Sequence, residues 1–283
     1  MAIHEAYQRF LLQLYEIYDD REAANIADMV IEHVTGQRRI DRIMYKDLPL
    51  TEIQQAQLES ISEKLFSHMP VQYALGEAWF ADMKFYVNEN VLIPRPETEE
   101  LVEWMVVSEK KKVSGCSLLD IGTGSGCIPI SIKRKMPGLN VAAIDVSEHA
   151  LKVAAQNANQ LESDISLLQL DFLDESNWSI LGMYDIIVSN PPYVKLSESG
   201  QMASNVLHFE PHVALFVPDD DALLFYKKIA AFAKTHLKKD GCIFLEINEQ
   251  LGQEVVALYK QNGYAVELKK DMQGKDRMVK ATL

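Results

Sequence analysis

Beyond residue 114 the sequence alternates between short β-rich segments and amphipathic helical segments, and this alternation restricts the possible folds most strongly. The β-rich segments are 117–121, 140–145, 165–170, 184–188, 242–247, 264–269 and 277–282, and the helical patterns are 126–136, 148–161, 221–237 and 250–262. Alternation at this spacing predicts a mostly parallel sheet with helices on both faces. The last two strands are joined only by Asp271–Asp276, which is too short for a helical crossover. They are therefore predicted to form an antiparallel pair at the sheet edge.

Residues 1–75 predict a separate helical bundle. Apolar side chains between Tyr7 and Tyr18 recur at helical spacing, which indicates an amphipathic first helix. A second helix is predicted to begin after Asp19 and to stop near Gly36, and Thr51 forms a capping-box pattern with the Gln three positions later. Core packing accounts for these apolar stripes better than a ligand groove does.

The bundle is followed by a connector with β character. Two short runs, Lys84–Val87 and Val91–Ile93, flank residues 88–90 and predict a β-hairpin that bridges the two domains. Pro96 suits the first turn of the next helix, which is predicted to run to about Lys110.

Composition and charge exclude several functional classes. A chain of 283 residues with 48% apolar content can bury two unequal cores, and its net charge of −13 argues against holding a polyanion over a broad surface. The three cysteines form no CxxC pattern, so neither a disulfide framework nor a structural zinc site is indicated. We expect a cytoplasmic protein, because no export signal and no apolar run of about 18 residues is visible.

A glycine loop predicts a nucleotide-type cofactor. The segment Asp120-Ile-Gly-Thr-Gly-Ser-Gly126 follows an apolar strand and opens a helix, so that Gly122, Gly124 and Gly126 let the backbone approach a ligand closely. Asp145 ends the next strand, where its carboxylate can accept hydrogen bonds from both ribose hydroxyls. A helix cap is the plainer role for Asp145, but Ser147 is better placed for it. A nicotinamide or flavin cofactor and S-adenosylmethionine both satisfy these features.

The segment Ser189-Asn-Pro-Pro-Tyr193 separates these alternatives. It follows the fourth strand, at the sheet edge where open α/β sheets bind ligands. Alkylation of a planar –NH2 group requires acceptors for its hydrogens as positive charge develops. The side-chain oxygen of Asn190 and the carbonyl of Pro191 are two such acceptors, while Tyr193 offers a flat face for stacking. A proline-rich turn is the structural alternative for this segment alone.

These two motifs resemble those of the class I S-adenosylmethionine-dependent methyltransferases that modify amide or exocyclic nitrogen. The segments Pro70–Gly76 and Val91–Glu99 further resemble the release factor glutamine methyltransferases, and the resemblance covers nearly the whole chain. It implies a Rossmann-like seven-stranded mixed sheet, with helices on both faces, after a helical bundle and a hairpin connector. It also implies an acceptor-docking domain at 1–75, a connector at 76–96 and a methyltransferase domain at 97–283.

The resemblance assigns roles to individual residues. Gly122, Thr123, Gly124, Ser125 and Gly126 would line the methionine moiety of the cofactor. Asp145 would hold the ribose, and Phe172, which is equally suited to the core, would flank the adenine beside Asp171. The substrate amide would be bound by Asn190, Pro191, Pro192 and Tyr193. Of these, the catalytic residues would be Asn190, Pro191 and Tyr193, and Asn190 would also contact the cofactor. Arg95 and Glu97 match the connector motif of the family. An ion pair that stabilises the linker explains these two residues at least as well as a direct role in substrate binding.

The expected reaction is direct in-line methylation of N5 of the glutamine in the Gly-Gly-Gln motif of peptide chain release factors. S-adenosylmethionine is the expected cofactor, with no metal, and the expected partner is a release factor rather than nucleic acid or a membrane. We expect a monomer. Three alternatives remain: methylation of a ribosomal-protein glutamine, adenine-N6 methylation of nucleic acid, and a non-enzymatic cofactor-sensing interaction protein. The acidic balance of residues 1–80 argues against nucleic acid.

Overall fold

The computed structural model describes residues 1–110 and 115–283, and the chain divides into two units. The helical unit comprises Met1–Gly76 with Ser204–Phe209, and the sheet unit comprises Glu77–Ala203 with Glu210–Leu283. Among the described residues, no helix combines the length and the apolar character that crossing a bilayer requires.

The helical unit contains the predicted helices and three short ones that were not predicted. Its helices are α1 (Ile3–Leu14), α2 (Asp20–Thr35), α3 (Arg39–Met44), α4 (Glu52–Phe66), α5 (Val71–Leu75) and, from later in the chain, α9 (Ser204–Phe209). The predicted helix ends are confirmed: Asp19 caps α2, Gly36 ends it with φ of +71°, and Thr51 and Gln54 form a capping box on α4. The short helices have at most six residues, too few for apolar periodicity to be visible.

The hairpin predicted from Lys84–Val87 and Val91–Ile93 is wrong in its pairing. The paired strands are β1 (Glu77–Phe80) and β2 (Met83–Tyr86), which run antiparallel. Ala81 and Asp82 connect them with φ of +49° and +62°, and this left-handed geometry at both positions is that of a tight two-residue turn. The usual Asn-Gly signal is missing there, so the sequence did not reveal the turn. Residues 91–93 form no strand; Val91 and Ile93 are instead buried within a loop.

The rest of the sheet unit follows the predicted alternation. Its further strands are β3 (Ser117–Ile121), β4 (Asn140–Asp145), β5 (Ser166–Gln169), β6 (Tyr184–Ser189), β7 (Val194–Lys195), β8 (Phe216–Val217), β9 (Leu237–Glu246), β10 (Ala265–Lys270) and β11 (Asp276–Thr282). Its helices are α6 (Pro96–Ser108), α7 (Cys127–Lys135), α8 (Glu148–Gln160), α10 (Leu224–His236) and α11 (Gly252–Gln261), with 3₁₀ helices at Glu175–Ile180, Leu196–Gln201 and His212–Ala214.

The main sheet has seven strands in the order β10-β11-β9-β6-β3-β4-β5. The five strands from β9 to β5 are parallel, whereas β11 is antiparallel to both β9 and β10. The predicted mixed sheet and its antiparallel ending are therefore confirmed. Small strands β7 and β8 pair separately in parallel, and neither was predicted.

Helices cover both faces of this sheet because successive strand residues point in opposite directions. On β6, Ile187 packs into one core cluster, with Tyr226 of α10 and Tyr259 of α11, while its neighbours Ile186 and Val188 pack into the other, which contains residues of α6 and α7. With both faces buried, the loops at the strand ends remain available for ligands.

Candidate active site

A cavity of about 290 Å³ lies at the carboxyl ends of β3, β4 and β6. This volume is near the lower end of the ~300–1,000 Å³ typical of small-molecule sites. The predicted site residues that line the cavity are Gly122, Thr123, Gly124, Ser125, Asp145, Phe172, Asn190, Pro191 and Pro192. The structure thus brings the glycine loop and the Asn-Pro-Pro segment to one cavity, but it places neither Gly126 nor Tyr193 at the wall.

The glycine loop leaves open space beside its backbone. Gly122 and Gly124 have φ of +76° and +53°, and a Cβ added at either position would have no heavy atom within 4 Å. Backbone N–H groups of Gly122 and Thr123 donate to the Ile144 carbonyl on β4 at 2.9 and 3.0 Å, which fixes the loop against the neighbouring strand. The loop is therefore held in place while its cavity side remains free for a ligand.

Gly126 serves packing rather than the cavity wall. It is the N-cap of α7 with φ of +78°. A Cβ there would meet Ile130 Cδ1 at 3.0 Å and Ala154 Cβ at 3.2 Å. These distances are short of ordinary van der Waals contact, so glycine at this position lets α7 and α8 approach closely.

Asp145 joins the glycine loop to the start of α8. Its Oδ2 accepts from the Gly124 N–H at 2.8 Å and its Oδ1 from the Ser147 N–H at 2.9 Å. Burial raises the pKa of Asp145, and these backbone hydrogen bonds partly oppose the shift. Ser147 caps α8 by accepting from the Ala150 N–H. Because a carboxylate has about four lone-pair sites, Asp145 retains capacity for ligand hydroxyls.

Phe172 packs in the hydrophobic core and also lines the cavity. Its ring stacks on Trp178 with centroids 5.5 Å apart, and only 5% of the residue is exposed. Asp171 also lines the cavity, and its Oδ1 accepts from the Leu173 N–H at 3.0 Å. Val146, which was not predicted as a site residue, lines the same cavity and is 46% exposed. Phe172 and Val146 give this end of the cavity an apolar surface.

Several polar side chains at the glycine loop are buried without partners. Among the described residues, no group meets the geometry of a hydrogen bond to either carboxylate oxygen of Asp120 or to the hydroxyls of Thr123 and Ser125. The Thr123 hydroxyl nevertheless lies close enough to Asp120, and the Ser125 hydroxyl close enough to Cys127, to lower the pKa of those groups. Burial raises the pKa of the Asp120 carboxyl to about 7. Buried polar groups normally have partners. Unpaired hydroxyls at the wall of an open cavity therefore fit a site that a polar ligand completes.

Asn190 and Tyr193 are linked to neighbouring side chains of the sheet unit. The Asn190 Nδ2 donates to Thr98 Oγ1 at 3.1 Å, and the Thr98 hydroxyl donates to Glu246 Oε2 at 2.6 Å. The Tyr193 hydroxyl lies 3.4 Å from Glu246 Oε1, while its ring packs against the core. Burial raises the pKa of Tyr193. Its expected stacking on a substrate stays a prediction.

Arg95 forms an ion pair with Glu210, a residue that lies outside the connector motif. Its Nη2 lies 2.5 Å from Glu210 Oε1, and the Ile93 N–H donates to Glu210 Oε2 at 3.3 Å. The Glu210 side chain is 1% exposed. This pair fixes the loop before α6 against the segment that follows α9 in the chain.

Sequence reasoning missed Thr98, Glu246 and Glu210 as parts of the site. Their partners lie 92 to 148 residues away in the chain, so no local pattern links them. One signal was available: β9 pairs with β6 so that Ser189 aligns with Leu245. Glu246 therefore follows at the level of Asn190, and a carboxylate ending a buried strand beside the Asn-Pro-Pro segment could have been singled out.

Comparison with known families gives two matches within the chain. Residues 98–211 match the Methyltransferase small domain, and residues 5–76 match the PrmC N-terminal domain. A methyltransferase from Pyrococcus furiosus has a similar solved structure, with a TM-score of 0.53 at 17% identity, covering 82% of this chain and 98% of that one. At that identity the likeness shows the fold alone.

Two relatives are similar over nearly their entire length. The release factor glutamine methyltransferase of Flavobacterium psychrophilum is 44% identical over 284 residues, covering 99% of each chain. The release factor glutamine methyltransferase of Bacteroides thetaiotaomicron is 41% identical over 278 residues, covering 98% of each chain.

Proposed function

This chain belongs to the release factor glutamine methyltransferase family, and from that premise we propose that it methylates N5 of the glutamine in the Gly-Gly-Gln motif of peptide chain release factors. The methyl donor is S-adenosylmethionine, and transfer is direct and in line. The observation that carries the proposal is one cavity with an open glycine loop on one wall and the Asn190–Pro192 segment on another. The enzyme works in the cytoplasm as a monomer, without nucleic acid.

The cavity fits the cofactor in four respects. Gly122 and Gly124 leave open space for close approach, and the unpaired hydroxyls of Thr123 and Ser125 supply polar groups for the methionine end. Asp145 has acceptor capacity for the ribose hydroxyls. Phe172 and Asp171 flank the apolar end for the adenine, and Gly126 supports the loop through packing. When bound, S-adenosylmethionine supplies a methyl group activated by the positive charge on its sulfur.

The protein contributes orientation of the acceptor amide. The Asn190 side-chain oxygen and the Pro191 carbonyl accept hydrogen bonds from the two N–H groups of the substrate –NH2. These bonds direct the nitrogen lone pair and stabilise the positive charge that grows on nitrogen during transfer. The N–CH3 bond would form as the S–CH3 bond breaks, which would leave S-adenosylhomocysteine, and the nitrogen would then lose one proton to solvent. Pro192 restricts the loop conformation because its φ is fixed. Tyr193 and Asn190 complete the contacts with the substrate and the cofactor.

The helical unit is proposed to dock the acceptor protein, with 76–96 as connector and 97–283 as the methyltransferase domain. Large apolar side chains are exposed within one stretch of this unit: Ile40, Ile43, Met44, Tyr45 and Leu48. Exposed apolar surface of this kind is typical of protein interaction sites. The composition of residues 1–80, with its acidic excess, favours a protein over a nucleic acid as partner.

The decisive experiment offers labelled S-adenosylmethionine with release factors, ribosomal proteins and nucleic acid, and locates the label by mass spectrometry. We expect it on the Gly-Gly-Gln glutamine. Replacing Asn190 with Ala should lower the rate by ~10²–10³, the usual effect of losing one group that stabilises transition-state charge. Exposed Asn159 on α8 provides the matched control, Asn159→Ala.

The outcomes separate the alternatives. Label on a ribosomal-protein glutamine alone would reassign the acceptor, and label on adenine alone would reassign the reaction. Tight cofactor binding without transfer to any acceptor would favour the cofactor-sensing protein. An unchanged rate in Asn190→Ala would remove the proposed role of the Asn-Pro-Pro segment.

A further inference from the structure

We propose that Thr98 and Glu246 are positioning residues that decide which edge of the Asn190 amide faces the cavity. The inference rests on the proposed function, in which the Asn190 oxygen accepts a hydrogen bond from the substrate amide. An Asn side chain has an acceptor oxygen at one edge and a donor –NH2 at the other. If the amide were turned over, the donor edge would meet the substrate –NH2 group and repel it.

The geometry forms a chain of three groups. Asn190 Nδ2 lies 3.1 Å from Thr98 Oγ1, and Thr98 Oγ1 lies 2.6 Å from Glu246 Oε2. Thr98 and Glu246 are 2% and 1% exposed. Water therefore has little access to these two side chains and cannot readily take the place of either hydrogen-bond partner.

Counting protons fixes the direction of each bond. A hydroxyl has one proton to donate, and a carboxylate can only accept. The Thr98 hydroxyl therefore donates its hydrogen bond to Glu246, and this bond is short, as expected for a charged acceptor. Its lone pairs can then only accept from Asn190. The –NH2 edge of Asn190 is thereby held by Thr98, and the oxygen edge remains for a substrate in the cavity that both residues line.

The protonation state of Glu246 controls this arrangement. A protonated Glu246 could donate to Thr98, and the Thr98 proton would then be free to bond the Asn190 oxygen instead. The amide would be released to turn over. Glu246 thus keeps Asn190 in its accepting orientation only while it carries a negative charge.

Charged and titratable groups from several elements face Glu246. Burial raises the pKa of Glu246 to about 7; the Thr98 hydrogen bond, Arg277 of β11 and the Tyr193 hydroxyl oppose this shift, and Glu97 of α6 adds to it. The Tyr226 hydroxyl of α10 lies 3.3 Å from the Glu246 backbone carbonyl. The carboxyl therefore titrates near neutral pH, where the activity of the enzyme can be measured on both sides.

The first test compares three variants by steady-state kinetics with a release factor acceptor. Thr98→Val removes the hydroxyl with little change of shape, and Thr98→Ser keeps it. We expect kcat to fall about 10- to 100-fold in Thr98→Val, as when the hydrogen-bond partner that orients an active-site ligand is lost. Thr98→Ser should keep kcat within about threefold of the wild type. Cofactor Kd by calorimetry should change far less than kcat in both variants. Ser131→Ala removes another buried hydroxyl, in α7, and controls for packing.

The second test uses pH at saturating cofactor. Wild-type kcat should fall as pH drops below about 7, because Glu246 gains a proton there. In Glu246→Gln the side chain no longer titrates, so kcat should be reduced but nearly flat through this range. The Asp120 carboxyl also has a pKa of about 7, but it lies at the glycine loop and should act on cofactor KM. An acidic limb that persists in Glu246→Gln kcat would overturn the proposal.

A third measurement does not depend on catalysis. The side-chain amide protons of Asn190, identified in NMR spectra by their absence from Asn190→Asp, should exchange slowly in the wild type and in Thr98→Ser but quickly in Thr98→Val. If the wild type methylates no release factor glutamine, the proposed function fails. The exchange measurement then still tests whether Thr98 holds the Asn190 amide. Equal exchange in wild type and Thr98→Val, or equal loss of kcat in the Ser and Val variants, refutes the proposal.

Discussion

The glycines of the loop between β3 and α7 should respond differently to the same substitution. Gly124→Ala and Gly126→Ala each place a Cβ at a residue with positive φ, and this conformation costs an L-residue roughly 1–2 kcal/mol. At Gly124 the added Cβ meets nothing within 4 Å, whereas at Gly126 it meets Ile130 and Ala154 at 3.0–3.3 Å. Overpacking of that kind adds about 1–3 kcal/mol.

The two variants should therefore separate stability from binding. Gly126→Ala should unfold at a lower temperature than Gly124→Ala by about 2–12 °C, since 1 kcal/mol shifts Tm by roughly 2–4 °C in a domain of about 200 residues. Gly124→Ala should instead weaken cofactor binding by at least about tenfold, because its Cβ enters space at the cavity wall. Calorimetry supplies both Tm and the cofactor Kd.

Two outcomes would contradict this reasoning. Equal Tm values for the two variants would mean that α7 and α8 adjust without cost and that Gly126 does not serve packing. An unchanged cofactor Kd in Gly124→Ala would mean that the open space beside Gly124 does not receive the ligand.

Two further predictions concern charge and docking. Burial raises the pKa of Asp120 to about 7, so between about pH 4 and pH 7 the folded state holds a proton that the unfolded state releases, and the free energy of unfolding declines as pH rises. Asp120→Asn removes this contribution, and urea titrations should show the variant gaining stability over the wild type as pH rises from about 5 to 7.5; a constant difference would count against it. On the helical unit, Ile43→Glu should raise KM for the release factor without changing cofactor Kd, whereas Ile53→Glu, at a similarly exposed position of α4, should leave both unchanged. Equal effects of these two variants would argue against docking near α3.

Local signals in the sequence were sufficient for most helices and strands. Asp19, Gly36 and the Thr51–Gln54 box each act within four residues of a helix end, so their effect can be read from neighbouring residues. The alternation of strands and helices likewise predicted the sheet, because the central strands β3, β4 and β6 are largely buried and parallel neighbours require a crossover connection. The hairpin failed because Ala81 and Asp82 adopt left-handed conformations that their residue types do not announce.

The site residues likewise fall into two groups, those that local sequence could predict and those that it could not. The glycine loop, Asp145 and Asn190 follow strands directly, so their meeting at one sheet edge was predictable from topology. Thr98, Glu246 and Glu210 take part through side-chain contacts between distant segments. Those contacts depend on how α6 and the segment after α9 pack on the sheet, which apolar periodicity does not specify.

The position of β11 has a consequence for the order in which the sheet unit can be completed. Residues 276–282 come after every other element in the chain, yet β11 lies between β9 and β10 and hydrogen-bonds to both. While the chain is being synthesised, β9 therefore has an open edge and β10 has no partner. The sheet can close only when the ribosome has made residues 276–282 and they are free to pair, and until then the open edge is exposed to wrong partners. A chain that ends before residue 276 should be prone to aggregation even though every residue of the cofactor cavity is present.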